Sequence, residues 1–306
     1  MSAAALTLVS WNLENNGKND PARRQAGDEM LKSLNPDLVF RQELWDAGDN
    51  GRTVFNAQAR ALGMHGELGT DSCTAMFINP KRFSVVRDWT QSRGPQWVLP
   101  PTALTLRYEE GGPDALPFVA VSYHLNYASP TQRLLEAEWL TTWADKGWTT
   151  PDGTRVTLPA IFAGDNNSYP APGAPGDPAL PELQAIKNAP HRLHRSYPGP
   201  DGARVPDIRP DDALRTAGLK DAARYWAAAP NGDPMAVSRT VNACDTHGPD
   251  SRIDRAYLTP ELLPAVTGFE VIEVDEDLSD HHILRLFLDG DRLAAILEQA
   301  ATGEPG

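Results

Sequence analysis

The stretch Ile161-Phe162-Ala163-Gly164-Asp165-Asn166-Asn167 is an apolar run that stops abruptly in polar residues. A buried strand delivers side chains to a site in this way. Leu158, Ile161 and Phe162 suit a core, and Gly164 lets the backbone turn or approach a ligand closely. Asp165 and Asn167 then leave the strand two residues apart, a spacing that places both on one side of extended backbone. An anion and a neutral amide held together there suit a water to be activated and a phosphate oxygen to be held. Taken alone the stretch reads sooner as a strand ending in a polar turn, because Asp and Asn are common turn residues, and the rest of the chain reverses that preference.

The same form recurs along the chain. Ala5–Val9 runs into Asn12 and Glu14, and Asp37–Glu43 is a second buried strand ending at Glu43. Phe118–His124 closes on His124, Asp254 is the second residue of the strand-like Ile253–Leu258, and Asp280 with His281 precedes the apolar Ile283–Leu288. Between these lie helical segments. Asp20 and Pro21 are an N-cap followed by proline at the first helical position. Thr53–Leu62 and the amphipathic Thr131–Trp143 read as helices, and Arg292–Ala301 as a terminal one. Strands and helices alternate without a linker, which predicts one domain over residues 1–306 with sheets packed together. Residues 168–215, dense in Pro, Gly and Arg, read as an elaborated loop with one short helix at Pro181–Asn188.

The 306 residues are enough for a large core. Twenty-eight Lys and Arg against 41 Asp and Glu leave a net charge of −13, which argues against broad attraction to polyanions or anionic membranes. It does not exclude a polyanionic substrate, since bound divalent cations offset clustered carboxylates locally. Cys73 and Cys244 are far apart and make no metal-spacing motif, so free thiols in a reducing compartment are expected. With no apolar run of membrane-spanning length and no signal-peptide pattern, the expectation is a cytoplasmic protein without a membrane or an obligate protein partner.

Carboxylates gathered at strand ends want a hard cation, Mg²⁺ or Mn²⁺, because without one their mutual repulsion is costly. Histidines beside them supply acid, base or phosphate-binding groups near neutral pH. A zinc site is disfavoured, as no His spacing resembles its usual motifs.

Five ordered blocks carry a resemblance: Ser10-Trp11-Asn12, Gln42-Glu43, Ser122-Tyr123-His124-Leu125, Gly164-Asp165-Asn166-Asn167, and Arg252-Ile253-Asp254 followed by Ser279-Asp280-His281. From Val9 to Leu286 the chain resembles the endonuclease/exonuclease/phosphatase (DNase I-like) superfamily. The resemblance implies an α+β fold, a four-layer α/β/β/α sandwich of two packed mixed sheets flanked by helices. It implies Glu43 as principal metal ligand, with Asn12, Glu14 and Asp280 completing or flanking the site. Asp165 would orient or deprotonate the attacking water, and Asn167 would hold it or a phosphate oxygen. His281 would contact the scissile phosphate as acid or base with Asp254 fixing its tautomer, and His124 would assist the leaving oxygen; which histidine is base and which acid stays open.

Two positions depart from the family pattern. Arg41 stands where an aliphatic residue is usual, on the strand face expected for Glu43, so it is a candidate substrate contact or an internal ion pair. Asn166 replaces an aromatic residue, which is expected to loosen packing beneath the site. Substrate must be argued from loops. His191, Arg192, His194 and Arg195 form the most basic cluster and, with Arg204, Arg209 and Arg215, are candidates to grip a phosphate backbone. The expected activity is that of a nuclease cleaving DNA by in-line attack of an activated water. The alternative is a phosphatase or phosphodiesterase for a small phosphorylated metabolite, inositol phosphate or phospholipid headgroup.

Overall fold

The computed structural model describes residues 5–89 and 96–302. The first half runs from strand β1 (Ala5–Asn12) through the tight turn α1 (Glu14–Lys18), helix α2 (Pro21–Ser33), β2 (Leu38–Gln42), helix α3 (Asp49–Leu62), β3 (His65–Leu68), β4 (Thr74–Ile78), β5 (Phe83–Asp88) and β6 (Thr102–Tyr108) to β7 (Phe118–His124). Helix α4 (Pro130–Leu140), the hairpin β8 (Gly147–Thr149) and β9 (Arg155–Thr157), and β10 (Ala160–Asp165) follow. The remainder comprises α5 (Ala189–His194), β11 (Ser196–Pro198), β12 (Arg204–Pro206), α6 (Arg209–Thr216), β13 (Lys220–Asp221), α7 (Ala222–Ala227), β14 (Asp254–Leu258), β15 (Val266–Ile272), β16 (Ile283–Asp289) and α8 (Gly290–Thr302).

Two six-stranded sheets result, in the orders β15-β16-β1-β2-β4-β3 and β13-β14-β10-β7-β6-β5. Each has one parallel pair at its centre, β1 with β2 and β7 with β10, flanked by antiparallel neighbours. Period-two alternation then sorts the side chains into layers. Leu6, Leu8, Leu38 and Phe40 face Leu104, Ala120, Ile161 and Ala163 of the other sheet in the central core. Val9, Trp11 and Val39 point the opposite way, against Leu31 of α2 and Phe55 of α3. Val121, Tyr123 and Phe162 meet Ala137 and Leu140 of α4 and Leu214 of α6. The result is the α/β/β/α sandwich, with Asp20 accepting from the Ala22 amide (2.9 Å) to cap α2 as its sequence predicts.

Residues 168–215 differ from the expected loop. They hold α5, the β11–β12 hairpin and α6, while the helix expected at Pro181–Asn188 is only the 3₁₀ turn Leu183–Ala185. These elements are too short for periodicity to reveal. The segment is tied to the sandwich by buried ion pairs: Arg133 to Asp207 (2.6 Å), Arg252 to Asp177 (2.7 Å), and Arg224 to Asp177. Aspartates of the segment, paired with arginines outside it, thus anchor it as a fixed wall beside the sheet ends.

Candidate active site

Strand register assembles the centre. Asp165 ends β10 opposite His124 of the parallel β7 and opposite Asp254 of the antiparallel β14. Asn12 ends β1 opposite Gln42, one residue before Glu43. Glu43 has φ +58°, in the left-handed region, so the chain turns sharply as it leaves β2. Asn167 is likewise left-handed at φ +49°, and its amide donates to Asp165 Oδ1 at 2.6 Å. Such backbone persists where surrounding structure over-determines it. Gly164 is fixed by space: a Cβ there would lie 1.9 Å from the Tyr123 carbonyl oxygen.

The Asn12 amide nitrogen lies 3.1 Å from Glu43 Oε1, 3.3 Å from Asp165 Oδ2 and 3.4 Å from His281 Nε2. Glu43 Oε2 also accepts from the Asn15 amide at 2.7 Å. That amide is presented by α1, where Asn15, Asn16 and Gly17 are all left-handed, a conformation that Asn and Gly tolerate best. His124 Nε2 lies 3.3 Å from Asp165 Oδ2 and 3.6 Å from Glu43 Oε1, and the Asn167 side-chain nitrogen is 3.1 Å from it. His281 Nδ1 is 2.9 Å from Asp254 Oδ2, and its Nε2 is 3.9 Å from both Asp165 and Asp280. Thr240 Oγ1 accepts from the Ile253 and Asp254 amides, and Ser279 Oγ donates to the Asn12 carbonyl at 2.9 Å.

Burial depresses the imidazoles, but acids outweigh it. Asp254, Asp280 and Asp165 carry His281 up to about 10, and Cys73 with Asp165 carries His124 well above its ordinary value. Burial pushes the Asp165 carboxyl up; the His124 hydrogen bond and the charges of His281, His124 and Arg195 overcome this and hold it well below the usual carboxylate range. Burial also raises Asp254 and Asp280.

The donor set fits a hard cation. Asn12 Oδ1 and Asp280 Oδ1 are buried with no hydrogen-bond partner among the described residues, and Glu14, Glu43 and Asp280 border one cavity of about 420 Å³ with Asp165 and His281. A second grouping, Asp165, Asp254 and His281, brings three ligand atoms within 4.8 Å of one another, a spacing that could hold a metal ion. The oxygen-rich set is the better fit to Mg²⁺ or Mn²⁺, because His281 Nδ1 and Asp254 already satisfy each other.

Several expected substrate contacts lie elsewhere. Arg41 is fully buried on the outer face of β2, 5.6 Å above the Trp11 ring, and does not border the cavity. Its two-residue offset from Glu43 fails to predict a common face because Glu43 lies beyond the strand in left-handed backbone. Burial lowers its guanidinium to about 10. Arg192 donates to the Ile186 carbonyl (2.9 Å) and faces a different groove. Arg204 and Arg209 are likewise occupied, by Ser196 and Asp207, and Arg215 is 3.8 Å from Asp211. The His194 ring lies 5.3 Å from that of His191 but does not border the cavity, whereas His191 and Arg195 do. Asn166 does not loosen its surroundings: it accepts from the Tyr123 hydroxyl (2.6 Å) and donates to that of Tyr257 (3.2 Å). Missing from the sequence reading are Trp45, Tyr127, Tyr169, His247 and Cys73, whose Sγ is 3.4 Å from His124 Nδ1. Apart from Cys73 beside β4, these lie in connections with no periodicity to flag them.

No family model matches the sequence, and no curated protein does. Among solved structures, an endonuclease/exonuclease/phosphatase family protein from Bacteroides thetaiotaomicron superposes with a TM-score of 0.58 at 19% identity, covering 94% of this chain and 95% of that one. The chain has the endonuclease/exonuclease/phosphatase fold. Two further structures with this fold are an AP endonuclease from Archaeoglobus fulgidus (TM-score 0.57, 16% identity, 93% and 99% covered) and D. rerio TDP2 complexed with a single-strand DNA product (0.56, 16%, 93% and 98%). In the endonuclease/exonuclease/phosphatase fold as this chain builds it, the acids and imidazoles collect where both sheets end. No helix among the described residues is long and apolar enough to cross a membrane.

Proposed function

We propose that the protein is a divalent-metal-dependent phosphodiester hydrolase and that its substrate is DNA. The observation that carries the reading is the convergence of Asn12, Glu43, His124, Asp165 and His281, from five separate segments, within hydrogen-bonding or ion-pair distance of one another. Bound at Glu43 with Asn12, Glu14 and Asp280, Mg²⁺ or Mn²⁺ supplies positive charge for the phosphate as negative charge develops on it. Asp165, kept ionised by its neighbours, accepts a proton from the attacking water, and Asn167 steers that water. His281, held by Asp254, donates to a phosphate oxygen. His124 protonates the departing oxygen. DNA is favoured by the structural neighbours described as acting on or bound to it. A small phosphoester is the second reading, favoured by the charge of −13 and by a cavity of about 420 Å³.

Purified protein with Mg²⁺ or Mn²⁺ is incubated with supercoiled plasmid, single-stranded DNA, RNA and a bis-aryl phosphodiester. Cleavage of DNA is the expected result. Turnover of small esters alone transfers the assignment to the second reading, and no turnover with either metal overturns both.

A further inference from the structure

The wall formed by residues 168–215 and the turn at 244–248 is chemically unlike the catalytic rim. Arg195 is 7% exposed and borders the cavity, and its Nη1 is buried with no hydrogen-bond partner among the described residues. A buried donor of this kind is costly unless something accepts from it. Beside it two flat rings from distant segments meet: His191 and His247, with centroids 4.6 Å apart and planes at 50°. His247 is not on a loose tether. The Cys244 and Gly248 backbones exchange two hydrogen bonds of 2.9 Å, the His247 amide contacts Cys244 Sγ at 3.2 Å, and Gly248, at φ +94°, is packed against Ile186. Burial, aided by Arg195, lowers both imidazoles, so near neutrality they are uncharged rings beside one fixed cation.

One guanidinium with neutral rings suits one phosphate bearing a flat group. It suits a polyphosphorylated ring poorly, because the cavity is already bordered by Glu14, Glu43, Asp165 and Asp280 and its cationic imidazoles, His124 and His281, are engaged by Asp165 and Asp254. We infer that Arg195 holds the scissile phosphate and that the His191–His247 pair stacks on the nucleobase next to it, making the site selective for a nucleotide whose base is free of a duplex stack. This rests on the phosphodiesterase reading and deepens it. Stacking of a base on a ring selects by about 10- to 100-fold.

The test compares two esters with one leaving group, thymidine 5′-(4-nitrophenyl phosphate) and methyl 4-nitrophenyl phosphate, with Mg²⁺. The wild type is expected to prefer the thymidine ester in kcat/KM by about 10-fold or more. His247→Ala and His191→Ala should each bring the ratio down several-fold, and His247→Phe, which keeps a flat ring and guards against a folding defect, should retain it. Equal rates for the two esters in the wild type, or a preference untouched by both alanine variants, overturns the inference while leaving the hydrolase reading standing. Turnover of neither ester, and of no other phosphodiester, removes the hydrolase reading and the inference with it.

Discussion

Substituting Gly164 by alanine adds a single methyl group at the tightest point of the site. The new Cβ would stand 1.9 Å from the Tyr123 carbonyl oxygen and 2.8 Å from its carbon, both backbone atoms of the neighbouring strand. Ordinary contact begins near 3.4 Å, so β7 and β10 must separate by roughly 1.5 Å at that rung. Neither strand can yield freely: every residue of both is buried, and they share a parallel ladder from Ala160 to Asp165. The shift falls one residue from Asp165 and its cross-strand partner His124, now 3.3 Å apart. Overpacking of this kind costs about 1–3 kcal/mol of stability, and misplacement by an ångström costs on the order of 100-fold in turnover. Urea denaturation followed by circular dichroism, paired with phosphodiester turnover under saturating Mg²⁺, measures both. A Gly164→Ala protein within twofold of wild-type turnover and with an unchanged midpoint would refute the claim that this interstrand contact positions the site.

Glu43→Gln and His281→Ala should each reduce turnover by at least about 1000-fold with the denaturation midpoint preserved, and an active variant of either removes its assigned role. Chelation by EDTA should abolish turnover and added Mg²⁺ or Mn²⁺ restore it; activity that survives exhaustive chelation contradicts the metal requirement. Asp207→Ala strands the fully buried Arg133 guanidinium, so unfolding should become easier by about 3–5 kcal/mol, whereas the double replacement Arg133→Met with Asp207→Leu should recover most of that loss. His247 is held down to about 4 in the folded chain against an ordinary 6.5, so below 6.5 the unfolded chain binds the extra proton and stability falls as pH drops from 6.5 to 4. Allowing for the partial exposure of the ring, that limb is worth about 1–2 kcal/mol, and His247→Asn should flatten it in denaturation series at pH 4 to 7.

The sequence by itself determined the strand ends. Apolar runs terminating at Asn12, Glu43, His124 and Asp165 record a local rule, that a buried strand can expose a polar side chain only where it leaves the core, so strand and chemistry are written in the same few residues. Packed sheets were legible in strands and helices that alternate without a linker, and the structure then sends Leu8 inward to the second sheet and Val9 outward to the helices. Which distant residues meet was decided by tertiary structure alone. Arg41 and Glu43 are two apart in sequence yet end in different environments, because a single left-handed residue at Glu43 changes the chain's direction. The basic cluster at 191–195 divides likewise: Arg192 is spent on a backbone carbonyl, while Arg195 borders the cavity and His191 meets the ring of His247 from a turn 56 residues away, a pairing that no local pattern encodes.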